Sequence, residues 1–436
     1  MRRLSLGLLL SIALVAKARA QTPAAPPPAP PAPPAPPAPP DDKARLDLQI
    51  GAPAARPPGI QGEPMVRRGV YDRPYLLRIG SASTDVALGG YIDLVGSYLR
   101  QDGVSEGFSF EARRFNIFLT SKIADYLRLT SELEFEHGTR AIGLETAMVD
   151  LLLHHSVNVR GGVLLVPLGK FNITHDSPLY DVIERPLVST RIIPATLSDV
   201  GGGLFGALYP GGHKLTYELY AVNGLSDGLI AGGGTRIPEG RAEARFEKDN
   251  NGAPALTGRV GYTTPLHPWL RFELGVSFYT GAYSTTTLAG LTVDRARWLH
   301  IGALDAEATL GPITLRGEAA YAHVDLPEGL GDLHAANQAG FYLEAVHPFL
   351  KRRMLVFERA TLGAVLRLDF VDLNLGRNQA TGERMGDETW RLSLGPSFRP
   401  VPATALRIVY RHDWVSDPLN NRLRGAGIQL GMATYF

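Results

Sequence analysis

Residues Trp269 to Thr280 read WLRFELGVSFYT. Leu270, Phe272, Leu274, Val276 and Phe278 fall on one face, and Arg271, Glu273, Gly275 and Ser277 on the other. A side-chain period of two is the mark of a strand with one apolar and one polar face. The alternation recurs in Tyr126 to Glu136, where Leu127, Leu129, Leu133 and Phe135 oppose Arg128, Thr130, Glu132, Glu134 and Glu136. It recurs again where Leu406, Ile408 and Tyr410 oppose Arg407 and Arg411. A soluble sandwich would show the same rhythm, so alternation alone leaves open which face meets water.

Three features outside that stretch decide. About sixteen such segments follow Asp85, each close to the length that crosses a bilayer at a tilt, and an even count suits a bacterial outer-membrane barrel. The connections alternate in length. Lys122 to Asp125, His154-His155, Pro210 to Gly212, Pro265 to Pro268, Gly311-Pro312 and Pro400 to Pro402 are short. Leu168 to Ser198, Gly224 to Pro254, Ala282 to Ala296, Val324 to Asn337 and Asp372 to Gly386 are long. Short periplasmic turns and long outer loops give this asymmetry. Pro348 to Val356 is longer than its set predicts, and His137 to Arg140 shorter. Finally, GIQLGMATYF places Ile428, Leu430, Met432 and Phe436 on one face, as in the last strand of an outer-membrane barrel.

Composition agrees. A soluble chain of 436 residues would divide into several domains, whereas one closed sheet absorbs the whole length. Mean hydropathy is near zero, as alternating strands require. Beyond the N-terminus no apolar run is long enough for a membrane-spanning helix. A net charge of +1 gives no basic face for nucleic acid. The absence of cysteine excludes thiol catalysis and cysteine metal sites. No nucleophile elbow or HExxH motif appears, so neither an enzyme nor a cofactor is expected. His154-His155 reads as a solvated turn. GGGLFG at Gly201 to Gly206 is followed by strand-like alternation rather than the helix that dinucleotide binding needs.

Residues 1–20 read as a signal peptide: Arg2 and Arg3, the apolar run Leu4 to Ala16, then Ala18-Arg19-Ala20. Residues 21–84 read as a periplasmic linker. Its Ala-Pro-Pro repeat from Pro23 to Pro40 forms a semi-rigid polyproline spacer or a tether to a partner, and Asp41 to Thr84 is irregular. Residues 85–436 are then the barrel, an all-β transmembrane antiparallel sheet. Its interior at sixteen strands is too wide for side chains to fill.

Between Val163 and Gly206 the chain leaves a strand at Pro167 and regains one after Asp199, with no sustained period between. So long a loop usually has a function. It is the third extracellular loop in this count, expected to fold inward and narrow the bore.

Phe110-Glu-Ala-Arg-Arg-Phe-Asn-Ile with Tyr126-Leu-Arg-Leu, Gly162 to Gly169, Glu184-Arg-Pro-Leu-Val, Asp199-Val-Gly and Tyr217 to Gly224 occur in the order found in the phosphate-selective porin O and P family. The chain resembles that family from about Gly89 to Phe436. The resemblance implies an outer-membrane channel, commonly a homotrimer, passing small anions such as phosphate. This chain departs from the family's lysine-rich path: Lys170 is the loop's lysine, and arginine replaces lysine nearly everywhere else.

Selectivity in a wet bore follows from its width and its rings of charge, and arginine suits an anion path because it stays charged. The expected constriction residues are Lys170, Arg185 and Arg191 on the loop, with Arg128 and Arg160 on the wall. The alternative role for Arg185 and Arg191 is to tie the loop to wall carboxylates. The alternative functions are a general diffusion porin, or a barrel that anchors or binds through its proline tract.

Overall fold

The computed structural model describes residues 47–50, 73–80 and 85–436, apart from 139, 231–232, 242–245, 250, 268, 285–286, 289–290 and 293–294. The expected signal peptide and the Pro23 to Pro40 tract lie outside the described residues.

Sixteen antiparallel strands close a barrel. They are β1 (Asp85–Gln101), β2 (Val104–Ala124), β3 (Leu127–Glu136), β4 (Ala141–His154), β5 (Val157–Leu165), β6 (Ser198–Leu208), β7 (Lys214–Val222) and β8 (Ala255–His267). There follow β9 (Leu270–Ala282), β10 (Trp298–Leu310), β11 (Ile313–Val324), β12 (Asn337–Met354), β13 (Phe357–Asp372), β14 (Glu388–Arg399), β15 (Thr404–Ser416) and β16 (Arg422–Tyr435). Each strand pairs with the next, and β16 pairs with β1 from Gly425↔Gln101 to Tyr435↔Tyr91. Closure leaves no unpaired edge, the condition for a sheet in hydrocarbon.

The outer surface is what lipid requires. Leu204, Leu219, Val260, Val276, Leu304, Leu343, Leu366, Ile408 and Leu430 are all exposed. Above this band Tyr98, Trp298, Tyr321, Trp390 and Trp414 are exposed near the outer strand ends, and below it Tyr126, Tyr209, Tyr262, Trp269 and Phe349. An apolar belt between two aromatic girdles marks a transmembrane barrel.

The turn expected from Pro348 to Val356 is instead strand. β12 continues to Met354 with register shifts at His347/Leu350 and Arg352/Met354, and Pro348 sits at the first of them. A bulge is where a strand tolerates proline, because no ladder donor is needed there. The periplasmic turn then shrinks to Leu355 and Val356, restoring the short-turn pattern.

Residues Arg73–Gly80, read from sequence as part of an irregular linker, are built into the barrel, and Asp47–Ile50 of the same linker is a strand paired with Leu77–Gly80. Leu77–Gly80 pairs with Asp85–Leu88 of β1, just past the point where β16 ends.

Candidate functional site

Residues 166–197 fold into the bore rather than over it. Two one-turn helices, α1 (Lys170–Thr174) and α2 (Leu187–Arg191), break the path. Asn172 closes the loop's neck. Its Nδ2 donates to the carbonyls of Val166 (2.7 Å) and Leu197 (3.0 Å), and its Oδ1 accepts from Leu197 N–H (2.8 Å). On one side Leu168, Leu187, Val188, Ile192 and Ile193 pack with Tyr220, Leu225, Leu229, Tyr279, Ile301 and Tyr342 in a buried core. Burying these side chains drives the inward turn.

The polar residues then fasten the loop to the wall at successive strands. Lys170 Nζ donates to Glu273 (2.7 Å) on β9 and Glu307 (3.0 Å) on β10. Glu318 on β11 accepts from Phe171 N–H (2.9 Å) and Ser189 Oγ (2.8 Å). Ser177 Oγ donates to Asp93 on β1 (2.8 Å), and Ser397 on β14 donates to Asp181 (2.6 Å). Glu184 accepts from Arg113 on β2 (3.1 Å) and Gln429 on β16 (2.7 Å). Leu187 N–H donates to Asp369 on β13 (3.0 Å). The loop therefore crosses from β9–β11 to the β14–β16 and β1–β2 wall and returns to β11–β13.

The five residues expected at the constriction divide by environment. Lys170 is an anchor, held by two carboxylates. Arg128 and Arg160 share Asp150: Arg128 Nη2 at 2.5 Å, Arg160 Nε at 2.7 Å. Arg160 also lies over the Phe205 ring, 4.4 Å from its centroid. Arg185 buries Nε and Nη2 without a hydrogen-bond partner, on the side of the acidic Glu134 and Glu145. Arg191 is exposed and, among the described residues, makes no ion pair. Burial of its stem, then the nearby cations Arg391, Arg236 and Arg411, hold its pKa below the ordinary arginine value against Asp387. Arg391 and Arg411 both bond Asp413, and Arg236 pairs with Asp387 at 2.8 Å. Arg191, Arg236, Arg391 and Arg411 thus stand against Asp387, Asp413 and the nearby Glu184, which Arg113 also bonds. Arg411 and Asp413 also line a cavity of about 590 Å³ at the outer mouth, with Ser97, Arg100, Gln101 and Ser109.

Sequence parity missed two residues here. The β1–β2 pairing jumps from Asp93↔Arg114 to Leu94↔Ala112. Arg113 is the extra residue of that bulge, so two consecutive arginines face the lumen. Likewise β3–β4 shifts between Glu132 and Leu133, and Glu145 becomes the extra, buried residue. A bulge places two neighbours on one face, and the Arg-Arg dipeptide was the available hint. Glu145 Oε1 lies 2.8 Å from His175 Nε2. Glu132, Glu134, Glu145 and Asp176 gather on this side of the lumen, with Arg73, Arg114 and Arg185 among them.

No family model matches the chain. An uncharacterized protein of Aquifex aeolicus is 23% identical over 380 residues, covering 81% of this chain and 82% of its own. Among solved structures, the anion-selective porin of Comamonas acidovorans superposes with a TM-score of 0.51 at 15% identity, over 81% of this chain and 100% of its own. The outer-membrane channel DcaP of Acinetobacter baumannii gives 0.50 at 12%, over 82% and 99%. Pseudomonas putida OprB gives 0.50 at 9%, over 81% and 94%. By fold the chain is a porin-type barrel.

Proposed function

We propose that the protein is an outer-membrane porin whose inward loop sets a narrow passage for small solutes, with a preference for small anions such as phosphate. The observation that carries the anion preference is Arg191. It is exposed, unpaired among the described residues, and adjoins Arg236, Arg391 and Arg411. Wall cations such as Arg160, Arg259 and Arg367 are already neutralised by partners, so Arg191 supplies uncompensated charge to the water path. The name of the Comamonas porin, anion-selective, favours the same reading. On this reading the chain sits in the outer membrane as a homotrimer, with its proline tract in the periplasm, and works without enzymatic activity or a cofactor. Gel migration before and after boiling tests the trimer.

A second reading, a general diffusion porin, is favoured by the mixed charge of the bore, where Arg73 pairs with Glu132 and Asp176 and Arg114 with Glu134 across from the arginines around Arg191. A transverse field orients dipolar solutes without strong ion selection. Reversal potentials in a salt gradient separate the two. An anion channel shifts toward the chloride equilibrium potential, Arg191→Glu moves it back, and added phosphate lowers the chloride current. Cations carrying most of the current would end the anion reading.

A further inference from the structure

We propose that Arg73–Gly80 is a latch that holds the constriction loop across the bore, so that withdrawing this segment loosens the passage. The inference rests on the channel reading above.

β16 pairs with β1 only as far as Tyr91, and Phe436 exchanges backbone hydrogen bonds with Gly90 (3.1 and 2.9 Å). Below that point the edge of β1 is taken by the segment before it: Leu76 N–H donates to Leu88 O (2.9 Å), and Leu77↔Leu88 to Gly80↔Asp85 follow. Arg78 bonds the Asp85 carboxylate. The other edge of the segment pairs with Asp47–Ile50, from Asp47↔Gly80 to Ile50↔Leu77; both ladders are short beside the barrel strands, and short ladders open most readily.

From the seam the chain turns inward. Arg73 Nε and Nη2 donate to Asp176 (2.7 and 2.6 Å), and Nη1 donates to Glu132 on β3 (2.6 Å). Its guanidinium lies 4.6 Å from the Phe118 ring centroid, and Tyr75 packs edge-on against the same ring. The Arg73 side chain is 1% exposed, and those of its two acids 0%. Asp176 belongs to the loop. One arginine from outside the barrel's first strand therefore joins wall to constriction.

Removing it changes the charge balance there. Glu132, Asp176 and Glu145 remain buried together, with the Asn116 amide on Glu132 (2.8 Å), the Tyr435 hydroxyl on Asp176 (2.7 Å) and His175 beside Glu145. Buried carboxylates stripped of their cation repel and must hydrate. The stretch His175 to Tyr180 takes up the changed charge, between the anchors Lys170 and Leu187; its remaining ties include Ser177 to Asp93 and the carbonyls of Ser177, Pro178 and Tyr180 to Arg407 and Arg399. The bidentate geometry is selective for arginine.

The test is single-channel recording from the full chain in planar bilayers, comparing wild type with Arg73→Gln, Asp176→Asn and the double variant. Each single variant should raise conductance or open-state noise at least twofold. The double variant should not exceed Arg73→Gln, because that single already breaks the Asp176 pair that Asp176→Asn removes and frees Glu132 as well. Conducting variants identical to wild type would overturn the latch while leaving the pore intact; absence of any conductance in wild type would instead remove the channel reading. Should the variants fail to assemble, Leu77→Cys with Leu88→Cys keeps Arg73 and crosslinks the segment to β1 in a chain with no cysteine of its own. The oxidised channel should lose wide open events that reduction restores, and identical traces in both states would refute the proposal.

Discussion

Gly169 shows how much of the site hangs on one position. Its φ is +72°, a region side chains with a Cβ rarely adopt. A Cβ there would also lie 2.6 Å from Glu318 Oε2, the carboxylate that receives Phe171 N–H and Ser189. Gly169→Ala thus combines backbone strain with displacement of an anchor. Strain of this kind costs on the order of 1–3 kcal/mol. Protease cleavage within residues 166–197 of the detergent-solubilised barrel should accelerate, and unchanged protection would refute this role. Arg191 lies at the other extreme, since among the described residues its side chain makes no ion pair. Arg191→Ala should lower the anion-to-cation permeability ratio, since rings of side-chain charge set selectivity, with thermal stability unchanged. A melting shift without a selectivity change would make it structural.

At the scale of elements, strands were legible and their irregularities were not. Alternation in Trp269–Thr280 reports which face of a strand meets lipid, and from Gly275 to Tyr279 exposure follows parity residue by residue. A bulge breaks that link while leaving composition untouched. Arg113 and Glu145 face the lumen for this reason, and Pro348, read as part of a turn, lies inside β12. The constriction loop was legible as a long aperiodic stretch but its contacts were not, since each pairs residues far apart in sequence. Lys170 and Glu307 illustrate this: 137 positions apart, they become partners only in the fold. The exchange of roles follows from reach. Lysine at the loop's start meets two wall carboxylates, whereas Arg191 at the end of α2 meets other cations. Lys170→Met leaves Glu273 and Glu307 facing each other part-buried, a loss on the order of 3 kcal/mol for this end of the loop. Conductance of that variant should become noisier and its early loop more protease-sensitive; quiet traces and full protection would show that Asn172 and Glu318 suffice.

For the molecule as a whole, the sequence indicated a closed cylinder, and the outward-facing residues turn that indication into a depth scale. Leu304 and Leu310 both project outward from β10, Leu304 at mid-strand and Leu310 at the periplasmic end. Arginine on the lipid face costs about 2–4 kcal/mol at the bilayer midplane and about 0–1 near the interface. Leu304→Arg should therefore destabilise the membrane-inserted barrel by a few kcal/mol, and Leu310→Arg barely at all, as read by reversible unfolding in phospholipid vesicles. In detergent micelles the gap should narrow, because a micelle deforms around the charge more easily than a bilayer. The comparison isolates the solvent, since both substitutions put the same side chain on the same strand face. A water-facing exterior would render the two positions equivalent in vesicles. The reverse order, with Leu310→Arg the worse, would mean that the apolar belt is displaced toward the periplasmic end.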